Sequence, residues 1–189
     1  MITTGKYSGF TIIELLVVIV IIGILASITL VSYVGAQEKA RNVQIVSAVN
    51  QWETILRSYE AVTGSFPTGN FEYVCLGDGF AAEDPFLVNQ CMKAPLWSVS
   101  VDENLINDLK QAGQSSIPNS VLPNLTFTNM NGDIEYYRGL LYLNRNGGFG
   151  ITYALKGGGS GCSIGDSYFE GNGFVACRRV LFGDPYSGL

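Results

Sequence analysis

One carboxylate stands at the edge of an apolar segment, where an ionisable group is unexpected. Glu14 is followed by residues 15–31, LLVVIVIIGILASITLV, which carry no charge. A charged side chain in such a segment costs about 2.5–3.5 kcal/mol near the centre of a bilayer, and it usually marks a function with a definite partner. Glu14 is therefore the first candidate functional residue, and its chemistry requires a cation.

The cation that the sequence suggests is an amine of the chain itself. If the chain is cut between Gly9 and Phe10, the new N-terminal ammonium lies four residues before Glu14, about 6 Å along a helix axis and on the same face. Helices offset along a common axis would then pair the carboxylate of one subunit with the Phe10 amine of another. Such a pair would set a register while neutralising both charges in an apolar environment.

A local role for the same residues is the alternative. Residues 11–14, Thr-Ile-Ile-Glu, have the S/T-x-x-E pattern of a helix capping box. The acid is then simply favourable near the positive end of the helix dipole. Local capping and pairing between subunits do not exclude each other.

The four cysteines predict two local disulfides. They belong to a chain whose apolar N-terminal segment indicates export, a setting in which cysteines are oxidised. Pairing Cys75 with Cys91 and Cys162 with Cys177 closes the shortest loops of the three possible connectivities, each worth about 3 kcal/mol in the chain-entropy model. No C-x-x-C spacing indicates a zinc or redox site instead. Four reduced cysteines in the core are the alternative.

Composition argues against catalysis and against nucleic-acid binding. The chain has no histidine, so it lacks the usual general base and the commonest metal ligand. Sixteen acidic and eleven basic residues give a net charge of −5, which is unfavourable for binding a phosphate backbone. We expect no cofactor. Two acidic patches without EF-hand spacing are weak calcium candidates, with solvated loop acids as the simpler interpretation: Asp78, Glu83 and Asp84, and Asp166 with Glu170.

The apolar segment is close to the length of about 20 residues that spans a bilayer as a helix, which predicts a transmembrane helix at about 15–33. Lys6 before it favours a cytoplasmic N-terminus, so the rest of the chain would lie outside the cytoplasm. A secretory signal peptide, cut after the small residues at 34–36, is the alternative. The length of the apolar run and the acid at its start argue against that alternative.

The helix is predicted to continue to residue 63, because an apolar stripe recurs at every third or fourth position. Gly64 and Pro67 then end it with a C-cap glycine and a following proline. The stripe comprises Ala36, Ala40, Val43, Val46, Val49, Trp52, Ile55 or Leu56, Tyr59 and Val62.

Residues 64–189 are predicted to form one head, a small antiparallel sheet packed on the second half of the long helix, which makes the fold α+β. An αβ-loop at 70–133 would hold one short helix at 102–112, capped near Ser100 or Asp102. A sheet of three or four strands is predicted within 134–182, with a hairpin turn at 145–148, Arg-Asn-Gly-Gly. A disulfide-closed loop would complete the C-terminal part.

These residues carry a resemblance to a known family. Gly9, followed by FTIIELLVVI at residues 10–19, resembles the leader and N-methylation motif of type IV prepilins and pseudopilins. In that family a membrane aspartyl prepilin peptidase cuts after the glycine and methylates the new phenylalanine amine, and the glutamate is needed for assembly. The resemblance implies a leader at 1–9, cleavage after Gly9, methylation of Phe10 and an assembly role for Glu14. Many major pilins have a proline near the position of Val31, and its absence here favours a minor pilin or a pseudopilin.

The resemblance also implies a type IV pilin-like fold and a structural subunit, not an enzyme, of a type IV pilus-like filament. Partners would be other copies of the chain, the prepilin peptidase, an inner-membrane assembly platform and, before assembly, the membrane, with no nucleic acid. The precursor would lie in the cytoplasmic membrane and the subunit later in an extracellular or periplasmic filament. A pseudopilin of a type II secretion system is the nearest alternative, and a secreted binding domain released from a signal peptide is a further one.

Overall fold

The structure is a computed structural model. It describes residues 9–68, 72–114, 116–118, 122, 124–128, 131–157, 161–171 and 173–187, with the side chains at 28–34, 127, 168 and 169 outside that description. The predicted leader at 1–8 and part of the Gly-rich loop, at 158–160, also lie outside the described residues. The chain divides into two compact units, residues 1–39 and 40–189.

The first unit contains the start of helix α1, which spans Ile12–Thr63. The Ile, Leu and Val side chains within residues 12–25 are between 48% and 82% exposed. The sequence predicts a transmembrane helix at 15–33; among the described residues, no helix is long and apolar enough to cross a membrane.

The second unit begins within α1, about two dozen residues before the predicted start of the head, because this part of the helix belongs to the main core. Ile45, Val49, Trp52 and Leu56 are buried and recur at spacings of four, three and four residues, as one face of a helix requires. Two members of the predicted stripe, Val43 and Val62, are instead 67% and 69% exposed. With 3.6 residues per turn, Val43 and Val62 lie outside the buried face of the helix.

The predicted end of α1 is confirmed. The backbone N–H of Gly64 donates to the carbonyl of Glu60 at 2.7 Å, and Gly64 has φ +84°. This left-handed conformation is the common way to end an α-helix, and glycine adopts it without a steric penalty.

In the part of the second unit that the structure describes, nine strands and a short helix, α2, follow. In chain order they are β1 Tyr73–Leu76, β2 Gln90–Lys93, β3 Ser98–Ser100, α2 Glu103–Gln111, β4 Leu125–Thr128, β5 Ile134–Tyr137, β6 Leu140–Arg145, β7 Gly148–Lys156, β8 Asp166–Gly171 and β9 Phe174–Phe182. They form a five-stranded sheet in the order β1-β6-β7-β9-β8 and a four-stranded sheet in the order β3-β2-β5-β4. Every pairing between these strands is antiparallel, so the α+β class is confirmed.

Within the described part of residues 134–182 the structure has five strands, β5 to β9, where three or four are predicted. The predicted αβ-loop at 70–133 contains α2, which Asp102 caps by accepting a hydrogen bond from the Asn104 N–H at 2.9 Å, but it also contains β1 to β4. These four strands have only three or four residues each. Such segments are too short to show a period of two in the sequence, and the pairings of β1 with β6 and of β2 with β5 join strands that are distant in the chain.

The segment before the predicted hairpin turn forms two strands, β5 and β6, which belong to different sheets. The crossing point is Gly139, where a Cβ atom would lie 2.8 Å from the Cβ of Cys91 and 3.0 Å from the ring of Phe80. Only glycine fits at this distance. The hairpin between β6 and β7 turns as predicted, with positive φ at Asn146 and Gly147, the pattern of a type I′ turn.

An ion pair joins α1 to the five-stranded sheet. Arg179 of β9 donates from Nε and Nη2 to the two carboxylate oxygens of Glu53, at 2.9 and 3.1 Å. Arg57 adds a third bond to the same carboxylate at 2.9 Å. The Glu53 side chain is only 14% exposed. The hydrogen bonds from Arg179 are the main reason that the pKa of Glu53 is lowered, with Arg57 contributing and burial opposing.

Because of this ion pair, the free energy of unfolding depends on pH. Because the pKa of Glu53 is lower in the folded chain than in the unfolded chain, the stabilisation is complete above about pH 5 and is lost as the pH falls through the lowered value. We expect Glu53→Gln to cost about 1–2 kcal/mol at pH 7 and to lose less stability than the parent between pH 5 and pH 3. Denaturant unfolding across this range measures both quantities. Glu60→Gln, two turns further along α1, is the matched control; an equal change in that variant would contradict the assignment.

Candidate processing and assembly site

The start of α1 is closed by a reciprocal capping box. Glu14 Oε2 accepts hydrogen bonds from the backbone N–H of Thr11 at 2.9 Å and from its hydroxyl at 2.7 Å. In return Thr11 Oγ1 accepts from the Glu14 N–H at 3.3 Å. The local role that the sequence offered as an alternative is therefore present, and it accounts for the helix beginning at Ile12.

The capping box leaves half of the carboxylate available. Both bonds from Thr11 end on Oε2, and Glu14 is exposed in the isolated chain. Its second oxygen, Oε1, retains its lone pairs for an external donor. The geometry thus allows one carboxylate to cap its own helix and to accept a cation from another chain.

Gly9 and Phe10 have no packing role that would explain their residue types. A Cβ atom at Gly9 would meet no atom within 4 Å, and Gly9 lacks the positive φ that requires glycine. Phe10 is 83% exposed. The fold of the described residues therefore makes no demand for a glycine and an aromatic residue at these two positions.

The structure joins the cysteines in the predicted pairs, Cys75 with Cys91 and Cys162 with Cys177. The first disulfide ties β1 of one sheet to β2 of the other, within a second core that includes Phe80, Met92 and Leu141. The second ties the segment before β8 to β9. The first bridge therefore links the two sheets through two four-residue strands, and the second fastens a loop to a nine-residue strand.

The acidic patches do not assemble into an evident cation site. Among the described residues, no group of three His, Cys, Asp or Glu side chains could hold a metal ion. Of the candidates Asp78, Glu83 and Asp84, the carboxylate of Glu83 lies 3.9 Å from the guanidinium of Arg138.

Arg138 is a buried residue that the sequence did not single out. It is 2% exposed. Its Nε donates to the Gln90 carbonyl at 2.8 Å, and its Nη2 to the Leu87 carbonyl at 3.2 Å. Burial lowers its pKa, and Glu83 opposes that effect. The guanidinium carbon also lies 4.3 Å from the ring centre of Phe86 and 5.5 Å from that of Phe80, so both aromatic rings provide cation–π contacts.

Comparison with known proteins agrees with the geometry of the N-terminal site. Residues 5–30 match the family described as the prokaryotic N-terminal methylation motif. Relatives named type II secretion system core protein G include those of Escherichia coli strain K12, 42% identical over 67 residues, and Aeromonas hydrophila, 41% identical over 63 residues. That of Vibrio cholerae is 38% identical over 63 residues.

These similarities cover 35%, 33% and 33% of this chain, and 46%, 44% and 43% of the respective relatives. The chain thus spans less than half the length of the curated relatives it matches. No solved structure matches. Within these limits the resemblance expected from residues 9–19 is confirmed: the chain carries the prepilin-type methylation motif of the type IV pilin-like family.

Proposed function

We propose that this chain is a structural subunit of a type IV pilin-like filament, cut after Gly9 by a prepilin peptidase and assembled through the N-terminal part of α1. One combined observation supports the proposal. The matched motif includes a Gly9-Phe10 dipeptide that has no role in folding, and a Glu14 carboxylate of which one oxygen is available. Phe10 would receive the methyl group, and Glu14 would accept its amine from a neighbouring copy.

Similarity to type II secretion system core protein G favours the pseudopilin form of this function over a subunit of a surface pilus. The absence of a proline near Val31 supports the same choice. In this form the filament pushes or carries exported substrates, and the contribution of the subunit is mechanical, not catalytic.

Association energy in the filament comes from the apolar side chains of residues 12–25, which are 48–82% exposed in the isolated chain. Covering apolar surface yields about 25 cal/mol per Å². Before assembly the same surface requires lipid, so we propose that the precursor is held in the cytoplasmic membrane and delivered to an inner-membrane assembly platform. The second unit, with its two disulfides, would face an oxidising compartment outside the cytoplasm.

Mass spectrometry of the mature N-terminus tests this proposal. We expect a chain that begins with N-methylated Phe10 when the peptidase is present, and an uncut chain for Gly9→Val, because a side chain next to the cut bond obstructs a peptidase that recognises glycine. Gly23→Val is the matched control, since a Cβ atom at Gly23 also meets nothing within 4 Å, and it should be processed normally. A chain that begins at Gln37 would instead establish an ordinary signal peptide.

A further inference from the structure

Two neighbouring apolar side chains, Leu87 and Val88, lie in solvent just before β2. They are 66% and 62% exposed. Side chains on either side of them turn inward, since Phe86 is 3% and Gln90 is 6% exposed. Exposed apolar residues that are scattered singly need no explanation. An adjacent pair on a loop is a candidate contact surface when the backbone beneath it is fixed.

The backbone of Leu87 is fixed from both sides by buried polar side chains. Its N–H donates to Oε1 of Gln90 at 2.9 Å, and its carbonyl accepts from Nη2 of Arg138 at 3.2 Å. The Gln90 amide is itself anchored, because its Nε2 donates to the Ser98 hydroxyl at 3.0 Å. Buried polar networks of this kind make a segment rigid. Leu87 and Val88 are therefore presented in one backbone conformation, which lowers the entropy cost of binding a partner.

The pair belongs to a loop that folds back on itself, at residues 80–89, named here the 80–89 loop. The Asn89 N–H donates to the Phe80 carbonyl at 2.8 Å. Nearer the tip, the Glu83 N–H donates to the Phe86 carbonyl at 3.1 Å. Both arms of the loop are thus tied together by backbone hydrogen bonds, and the tip adjoins the arm that carries the two apolar side chains.

The exposed charge of this loop is acidic. Glu83 and Asp84, at the tip, are both exposed, and residues 77–90 contain three acidic residues and no lysine or arginine. The guanidinium of Arg138 lies 3.9 Å from Glu83, but Arg138 is 2% exposed and offers no donor at the surface. Because complementary charges at the rim of an interface select the partner, the loop fits a surface that is apolar at its centre and basic at its edge.

We propose that the 80–89 loop docks another protein, whose binding surface is an apolar pocket flanked by lysine or arginine side chains. Leu87 and Val88 would enter the pocket, and Glu83 and Asp84 would face its basic rim. A lipid surface does not fit, because anionic headgroups attract basic side chains and repel carboxylates. The contact uses no residue of the N-terminal site, so it is independent of cleavage after Gly9.

Photo-crosslinking tests the proposal in the cells that produce the full-length chain. The probe is p-benzoylphenylalanine placed at position 87, and the cross-linked peptide is sequenced by mass spectrometry. We expect one adduct, with a segment of a different protein that has lysine or arginine beside its apolar residues. Val88→Ser should lower the adduct yield about tenfold, because an apolar anchor is lost. Asp84→Lys should lower it about fivefold, roughly the effect of losing one exposed charge pair.

Two controls separate docking from general adhesion. The same probe at position 96 should not give this adduct, although Leu96 is 97% exposed. Asp108→Lys makes the same charge change on α2 and should leave the yield unchanged. Near-ultraviolet circular dichroism checks that each variant keeps its fold, and the N-terminal mass of each is recorded, so that failure of docking is distinguished from failure of processing.

Four results would overturn the proposal. They are the absence of an adduct at position 87, an adduct with lipid or with another copy of this chain, an equal adduct at position 96, and an equal loss in Asp108→Lys. The last of these would reduce the effect of Asp84 to net charge. An adduct with a segment that lacks basic residues would likewise contradict the proposed chemistry of the partner.

Discussion

Replacement of Glu14 by glutamine is expected to abolish filament assembly while cleavage after Gly9 continues. Glutamine is accepted at the last position of a capping box, so its amide oxygen can accept the two bonds that Thr11 donates to Glu14 Oε2 while the charge is lost. A neighbouring Phe10 ammonium would then be buried without a counter-charge, at a cost of about 3–5 kcal/mol for each contact. Because this cost recurs at every subunit, sheared or sedimented filament should fall below detection.

The matched variant for Glu14→Gln is Thr11→Val, which removes the hydroxyl of the capping box and keeps the carboxylate. Loss of a cap of this kind costs about 1 kcal/mol, so Thr11→Val should assemble with a modest loss of yield. Both variants should show the same mature mass as the parent. Normal filaments from Glu14→Gln would rule out the pairing between subunits and leave capping as the role of this carboxylate.

The features that the sequence predicted are those with local signals. The capping box at 11–14, the end of α1 at Gly64 and the turn at Asn146 and Gly147 each depend on residues within a few positions of one another. The disulfide pairs follow from the same locality, since separations of 16 and 15 residues are short enough for loop-closure entropy to favour them. For this reason the capping geometry at residues 11–14 was predictable from the sequence.

The second sheet was not predictable because its strands are short and its central pairing joins distant parts of the chain. Its strands β2 and β5 pair across more than forty residues, and each is four residues long. The sequence around Gly139 does not indicate that this residue contacts Cys91 and Phe80. Nothing adjacent to Arg138 indicates burial either, since the carbonyls and aromatic rings around it belong to residues 80–90. A lone arginine in a predicted strand is normally read as solvent-exposed.

Replacement of Arg138 by methionine is expected to destabilise the second unit by about 2–5 kcal/mol. Methionine retains much of the side-chain volume but donates no hydrogen bond, so the buried carbonyl of Gln90 and the partly buried carbonyl of Leu87 lose their charged donors. The cost is about 1–3 kcal/mol for a buried group and less for a partly buried one. Denaturant unfolding of the full-length chain in neutral detergent measures the change. Near-ultraviolet circular dichroism follows the transition, because Trp52 is fully buried in the core of this unit.

Arg145→Met is the matched control, since Arg145 also pairs with a glutamate, Glu72, at 3.2 Å, but with both side chains partly exposed. An exposed pair of this kind contributes less than about 1 kcal/mol. A buried guanidinium carries a desolvation cost that methionine removes, so the two terms oppose each other in Arg138→Met. A large loss there and a small loss in Arg145→Met would show that the hydrogen bonds outweigh desolvation. Equal losses, or a gain in Arg138→Met, would show that desolvation dominates and that this arginine is not what holds the segment before β2 in place.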